Sequence, residues 1–266
     1  MGSLEGKIVI ITGASSGIGL AAAIAFAKQK TKLMLAARRE NKLIAACEEI
    51  KKLGAEAEYM LVDVAKESDV KKLIEKTLQR YNRIDILVNN SGYGHFFPLA
   101  QTTSQQMHDI MEVNFFGTFY ASHEVLPIMI KQQSGHIINI SSVAGKRVFR
   151  QTGGAYNITK FAMQGFTEAL RMELINTPIR VTSICPVTTV TEFFDLAKEQ
   201  TGKSAKILGP AQTAEHVANA IIKVAINPKA EVVLVGALRI VFALQALFPG
   251  LIDKLIYRFV GSKKDE

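Results

Sequence analysis

The chain has 266 residues, 48% of them apolar and 21% charged, with two cysteines and a formal net charge of +8. Length and composition describe a soluble globular protein with a substantial core, as one large α/β domain or two small ones, and exclude a disulfide-rich scaffold. The basic residues are scattered rather than striped, which fits a plain basic surface first, and an anionic cofactor or an acidic partner as easily as nucleic acid; with no nucleic-acid-binding motif beside them, no nucleic-acid partner is expected.

Residues 1–6 show no apolar signal region, and Gly6 stands where myristoylation needs Ser or Thr, so a cytoplasmic protein is expected. Lys7–Thr12 reads as a short buried strand running into Gly13, Gly17 and Gly19 and then an alanine-rich helix to about Gln29. A strand, a glycine turn and a helix are what a pyrophosphate site requires. Glycines let the backbone approach the phosphates, and the helix start offers free N–H groups and positive dipole. Gly13, Ser15, Ser16, Gly17, Ile18 and Gly19 are therefore candidate cofactor residues, although the spacing differs from the common Gly-x-Gly-x-x-Gly fingerprint. The strand Lys32–Ala36 ends at Arg38 and Arg39, with no carboxylate before Glu40. The adenosine ribose is expected there, and two guanidiniums suit a 2′-phosphate, so NADP(H) is expected over NAD(H). The same pair also fits a solvated basic loop.

Helix Asn41–Leu53, strand Ala57–Leu61, helix Ser68–Tyr81 and strand Ile84–Val88 continue the alternation, which predicts a parallel sheet covered on both faces. Asp63 and Val64, then Asn90, Ser91 and Gly92, follow strands three and four at the carboxyl edge, where ligands of open α/β sheets bind. The apolar loop from Tyr93 to Pro98 is a candidate substrate wall, with His95 read as wall rather than base. Thr103 to Gln106 has the form of a capping box, opening a helical stretch through Asn114 to about Lys131. Cys47 and Cys185 lie far apart in apolar stretches and read as buried thiols, and no metal site is expected.

Strand His136–Ile140 delivers Ser141 and Ser142 to the same edge, and the run Ala155–Glu173 reads as a helix carrying Tyr156 and Lys160. Residues i and i+4 share a helix face, so phenol and ammonium can enter one pocket. A lysine charge about 5 Å away, at an effective dielectric of ~20, favours phenolate by roughly 3 kcal/mol, about 2 pK units. The spacing thus predicts a phenol with lowered pKa, suited to acid–base work, with a Ser142 hydroxyl to polarise a carbonyl. Alone, the spacing also describes an ordinary surface pair. Strand Ile179–Cys185 leads to Pro186, Thr189 and Thr191. Phe96, Phe97, Phe149, Phe193, Phe194 and Leu196 fall on loops near the edge and predict an apolar pocket.

After helix Thr213–Asn227 and strand Glu231–Val235, the stretch 238–266 is apolar and amphipathic. Its uncharged run Ile240–Ile252 is too short to span a bilayer, and it fits packing on a subunit or the pocket first and peripheral membrane contact second.

In their order, Thr12-Gly13-x3-Gly17-x-Gly19, Asn89-Asn90-Ser91-Gly92, a Ser before Tyr156-x3-Lys160, and a Pro-led loop after the sixth strand resemble the short-chain dehydrogenase/reductase family over essentially the whole chain. The resemblance implies a single Rossmann-type doubly wound domain with a seven-stranded parallel sheet, spanning 1–237 with 238–266 as a helical extension, assembled as a homodimer or homotetramer. By that likeness Tyr156 is the acid/base, Lys160 tunes it, Ser142 binds the substrate oxygen, and Asn114 is the relay asparagine. Arg38 then reads the 2′-phosphate, while Thr189 and Thr191 hold the nicotinamide end. Three positions depart from the pattern. Ser142 lies one residue farther from Tyr156 than usual, leaving Ser141 as a second candidate; Val187 replaces the glycine after Pro186; and Ser91 replaces an alanine. The implied reaction is hydride transfer between nicotinamide and an apolar carbonyl or secondary alcohol. A 3-oxoacyl thioester reductase, and a non-catalytic NADP(H)-binding sensor or scaffold, are the alternatives; the sensor would be marked by a broken catalytic set.

Overall fold

The computed structural model describes residues 3–148, 153–201 and 211–260. Seven parallel strands form one sheet in the order β3-β2-β1-β4-β5-β6-β9. These are β1 (Ile8–Thr12), β2 (Lys32–Ala37), β3 (Glu56–Leu61), β4 (Ile86–Asn89), β5 (Gly135–Ile140), β6 (Ile179–Cys185) and β9 (Glu231–Val233). The order reverses between β1 and β4, which opens a crevice at the carboxyl ends of those two strands.

Alternation along each strand divides the core in two. Val9 and Ile11 of β1, with Leu33 and Leu35 of β2, face α1 (Gly17–Ala27), α2 (Glu40–Lys52) and α8 (Ala214–Ile226), packing with Phe26, Ile50 and Ile221. Ile10, Met34 and Leu87 face the opposite layer, α3 (Glu67–Tyr81), α5 (Gly117–Gln132) and α6 (Gly154–Glu173), with Leu73, Val125 and Leu170. All these residues are fully or nearly fully buried, so both faces of the sheet are sealed and its open edge for ligands is the row of strand ends.

Elements outside this frame build the site. The capping box opens α4 (Ser104–Met111): Gln106 N–H donates to Thr103 Oγ1 at 3.2 Å, and Thr103 N–H to Gln106 Oε1 at 2.9 Å. The helix expected to run on through Asn114 is instead interrupted by a π-helical turn, Glu112–Phe116, before α5 resumes. The turn inserts a residue and aims the buried Asn114 amide at the loop after β4. Phe193, expected on a loop, begins α7 (Phe193–Thr201), and a two-stranded parallel ladder joins β7 (Thr189–Val190) to β8 (Gln212–Thr213). The C-terminal stretch folds as α9 (Leu238–Leu247) and α10 (Pro249–Val260), which pack on each other. Leu238 and Phe242 turn inward onto Val143, Cys185 and Val233, while Ile240, Leu247, Phe248 and Leu251 are exposed. Among the described residues, no helix is long and apolar enough to cross a membrane. Cys47 and Cys185 are both buried and unbridged.

Candidate active site

A cavity of about 500 Å³ runs along the strand ends from the glycine turn to the start of α9, a size that suits a ligand site. It brings together almost every predicted site residue. Gly13, Ser15, Ser16, Gly17 and Ile18 line it from the first turn, Arg38 and Arg39 from the second strand, and Asp63 and Val64 from the third. Asn90, Ser91 and Gly92 follow from β4, Ser142, Tyr156 and Lys160 from the centre, and Thr189, Thr191, Phe96 and Phe193 from the far end. Gly19 and Asn114 sit behind the wall, and Phe149 lies outside the described residues. His95, expected in the wall, is buried against Phe97 (ring centroids 5.1 Å apart) and does not reach the cavity. Tyr93 lines it as the loop reading expects, and Val187 from the Pro186 loop; Val113, Val235 and Leu238 line it without a local signal, except that the apolar tail pointed to Leu238.

The glycine turn is shaped for a dinucleotide. A Cβ on Gly19 would lie 2.2 Å from the Gly13 carbonyl oxygen, so only glycine lets the helix close on the strand. Gly13 takes a left-handed φ of +66°. Ser16 precedes α1 without a side-chain capping hydrogen bond, and no acidic residue occupies the first turn, which leaves the helix N-terminus to an anion. Thr12 Oγ1 accepts the N–H groups of Asn90 (3.0 Å) and Ser91 (3.2 Å), and Asn90 Nδ2 donates to the carbonyls of Thr12 (3.1 Å) and Gly13 (3.2 Å). The Asn90 amide therefore braces the turn. Asp63 accepts from Ala65 N–H at 3.2 Å. Arg38 is exposed at the cleft, whereas Arg39 folds back across the turn.

Tyr156 and Lys160 leave α6 one turn apart, as their spacing predicts. Lys160 Nζ donates to the Ile140 carbonyl at 3.0 Å and stands 5.8 Å from the Tyr156 ring centroid. The Ser142 hydroxyl accepts from Ala144 N–H at 3.0 Å and lies close enough to the Tyr156 phenol to draw its pKa down. The Ser141 hydroxyl turns away, donating to the Lys160 carbonyl at 3.5 Å, so the structure separates the two serines: Ser142 faces the phenol. Asn114 Nδ2 donates to the Tyr93 carbonyl (2.9 Å) and to Thr159 Oγ1 (3.2 Å), and its Oδ1 accepts Tyr93 N–H (2.9 Å).

The expected depression of the phenol pKa is not found. Burial pushes Tyr156 up to about 12, only partly opposed by the Ser142 hydroxyl. The same burial lowers Lys160 to about 8. Withdrawing both groups from water disfavours their charged forms, and that cost outweighs the attraction estimated from spacing alone.

Aromatic rings close the far end. Phe193 meets the Tyr156 ring edge-on at 5.7 Å, Phe96 stacks on Phe194 at 5.9 Å, and Phe96 lies 6.3 Å from Tyr156. Among the described residues no group of three or more His, Cys, Asp or Glu gathers as a metal site.

A sequence model described as short chain dehydrogenase matches residues 7–202. An uncharacterized oxidoreductase of Listeria innocua is 40% identical over 195 residues, 73% of this chain and 78% of its own. A short-chain dehydrogenase/reductase of Burkholderia phymatum, solved with NAD, superposes with a TM-score of 0.86 at 25% identity, covering 94% of this chain and 96% of that one. An alcohol dehydrogenase of Thermococcus sibiricus, solved with 5-hydroxy-NADP, gives 0.76 at 27% identity, over 86% and 96%. The chain belongs to the short-chain dehydrogenase/reductase family and is an oxidoreductase acting on CH–OH or C=O with NAD(P).

Proposed function

We propose that the chain is an NADP(H)-dependent reductase of apolar carbonyl compounds, reversible on the matching secondary alcohols. The observation that carries this reading is that Tyr156, Lys160 and Ser142 line one cavity with the glycine turn, beneath the Phe96–Phe193–Phe194 cap. Gly13 to Gly19 would hold the pyrophosphate, Arg38 and Arg39 the 2′-phosphate, and Asp63 and Val64 the adenine. Asn90 to Gly92, Thr189 and Thr191 would line the nicotinamide side. When bound, the nicotinamide supplies or accepts hydride.

The chain's own residues handle the proton. Ser142 and Tyr156 point their hydroxyls at one place, where a substrate carbonyl oxygen accepts from both. A phenol titrating near 12 stays protonated at neutral pH, the form that gives its proton to an oxygen gaining negative charge. Lys160, fixed by the Ile140 carbonyl, offsets the charge left on the phenol. Asn114 braces the loop carrying Tyr93 against α6 through Thr159. The aromatic cap and Leu238 exclude water and favour an apolar substrate.

NADPH consumption across a panel of apolar carbonyls tests the reading, with Tyr156→Phe as control. Turnover should drop by about 10² to 10⁴-fold, the usual contribution of a positioned acid–base group, with cofactor binding kept. Undiminished turnover would remove Tyr156 from the role. The exposed Phe119 and Ile130 of α5 support self-association as a dimer or tetramer. The exposed apolar side chains of α9 and α10 support packing on a second subunit, with peripheral membrane contact as the other occupant.

A further inference from the structure

Arg39 bridges three parts of the chain. Its Nη2 donates to Ser16 Oγ at 2.7 Å and Ser15 Oγ at 3.1 Å, and its Nε to Ser15 Oγ at 3.3 Å, spanning the glycine turn. Its Nη1 donates to Glu192 Oε2 at 2.8 Å, and the other oxygen of that carboxylate takes Lys42 Nζ. Glu192 lies between β7 and α7, immediately before Phe193 on the substrate side of the cleft. The neighbouring Thr191 is packed against the glycine turn, so closely that a Cβ on Gly17 would stand 3.1 Å from its side chain. A carboxylate from the substrate loop thus holds the cations that follow β2, where a dinucleotide's ribose 2′ substituent belongs.

Building on the NADP(H) reading, we propose that Glu192 is a resident anion which the cofactor's 2′-phosphate displaces from Arg39 and Lys42, freeing the loop that carries Phe193. The chemistry favours the exchange in one direction. A phosphate monoester carries about −1.5 to −2 charge at neutral pH and three acceptor oxygens, against one charge and two oxygens on the carboxylate. Arg binds either group through the same planar fork, so both cannot occupy it fully. The Glu192 side chain is 42% exposed, so a competing anion can reach the pair from solvent. A 2′-hydroxyl carries no charge and leaves the ion pair in place. Since Phe193 meets the Tyr156 ring at 5.7 Å, release of Glu192 also loosens the cap over the phenol. Discrimination between the two nicotinamide cofactors then extends beyond affinity to the opening of the substrate end.

Calorimetric titration of the full chain and of Glu192→Gln with adenosine 2′,5′-bisphosphate and with 5′-AMP tests this, because the ligands differ only in the 2′-phosphate. The variant should bind the bisphosphate about tenfold tighter, the scale of one charge-assisted bond no longer contested, and 5′-AMP within about twofold of wild type. In wild type, hydrogen exchange of residues 191–201 should rise with the bisphosphate and not with 5′-AMP. An unchanged or weakened bisphosphate affinity, an equal gain for both ligands, or exchange that ignores the bisphosphate would each overturn the proposal. The wild-type preference between the ligands is a separate reading: equal affinities there would remove the NADP(H) assignment, while the variant-to-wild-type ratio would still decide the role of Glu192.

Discussion

The two ends of the cleft are held by different kinds of contact. At the cofactor end each contact has backbone on at least one side: the Asn90 and Ser91 N–H groups bind Thr12 Oγ1, the Asn90 side-chain amide binds the Thr12 and Gly13 carbonyls, and Gly19 touches the Gly13 carbonyl directly. At the substrate end they are side chains from distant elements, with Phe96, Phe193 and Phe194 leaning on one another and on Tyr156 and Leu238 closing the wall. Backbone contacts leave no room for a different side chain, whereas ring contacts can be exchanged for others of similar volume. One end therefore fixes what is bound in common by many enzymes of this architecture, and the other is free to choose the substrate.

The largest effect is expected where the cofactor end reads charge. Arg38→Ala should weaken NADPH by about tenfold or more, the value of hydrogen bonds to a charged group, while NADH stays within about twofold. Titration of both cofactors by fluorescence checks it. Equal weakening would mean that Arg38 contributes only general positive potential, and the contrast between the ends would lose its chemical part.

Gly19→Ala tests the backbone contact itself. The new methyl would stand 2.2 Å from the Gly13 carbonyl oxygen and 2.6 Å from Asn90 Nδ2, so strand and helix must separate. Overpacking of this kind costs about 1–3 kcal/mol, and dinucleotide affinity should fall with it. Urea denaturation alongside cofactor titration measures both. An alanine variant as stable as wild type, binding NADPH equally well, would show that the turn is not as constrained as its distances imply.

The pH profile addresses the boundary between the ends, where Lys160 stands. Its ordinary pKa of ~10.4 is lowered by desolvation to about 8, so the ammonium is present below that pH and lost above it. Tyr156, near 12, stays protonated throughout. The rate of carbonyl reduction should therefore be level in neutral solution and decline above about pH 8, approaching tenfold per unit as the amine becomes neutral. Steady-state kcat from about pH 6 to about pH 10 checks it, and a profile flat to the alkaline limit would separate Lys160 from proton transfer.

The sequence made the cofactor end legible because its signals are local. Glycine spacing, a strand alternating between two buried faces, a capping box and an i, i+4 pair each lie within a few residues, and the fold places them where their periodicity says. The substrate end was not legible in the same way. Glu192 meets an arginine 153 positions earlier, and nothing near it in the chain marks that contact. The aromatic pair Phe193–Phe194 read as loop but begins a helix, and the π-turn at Asn114 inserts one residue into a pattern that otherwise reads as continuous helix. The direction of the Tyr156 shift was misjudged for a related reason: the lysine is visible in the spacing, but the burial that outweighs it depends on side chains arriving from elsewhere.

A second glycine shows that the intolerance belongs to the contact rather than to the residue type. Gly165 lies inside α6, beyond Lys160 on the same helix, and a Cβ built there meets nothing within 4 Å. Alanine at an exposed helical position reduces the freedom of the unfolded chain without straining the fold, so Gly165→Ala should stabilise the protein by about 0.4–1 kcal/mol. Activity and cofactor affinity should be unchanged, because the helix carries Tyr156 and Lys160 at its other end. Urea denaturation reads the gain. If Gly165→Ala instead destabilised the chain as Gly19→Ala is expected to, its position would have to be covered in solution, and α6 would then be a buried surface between copies of this chain rather than a free one.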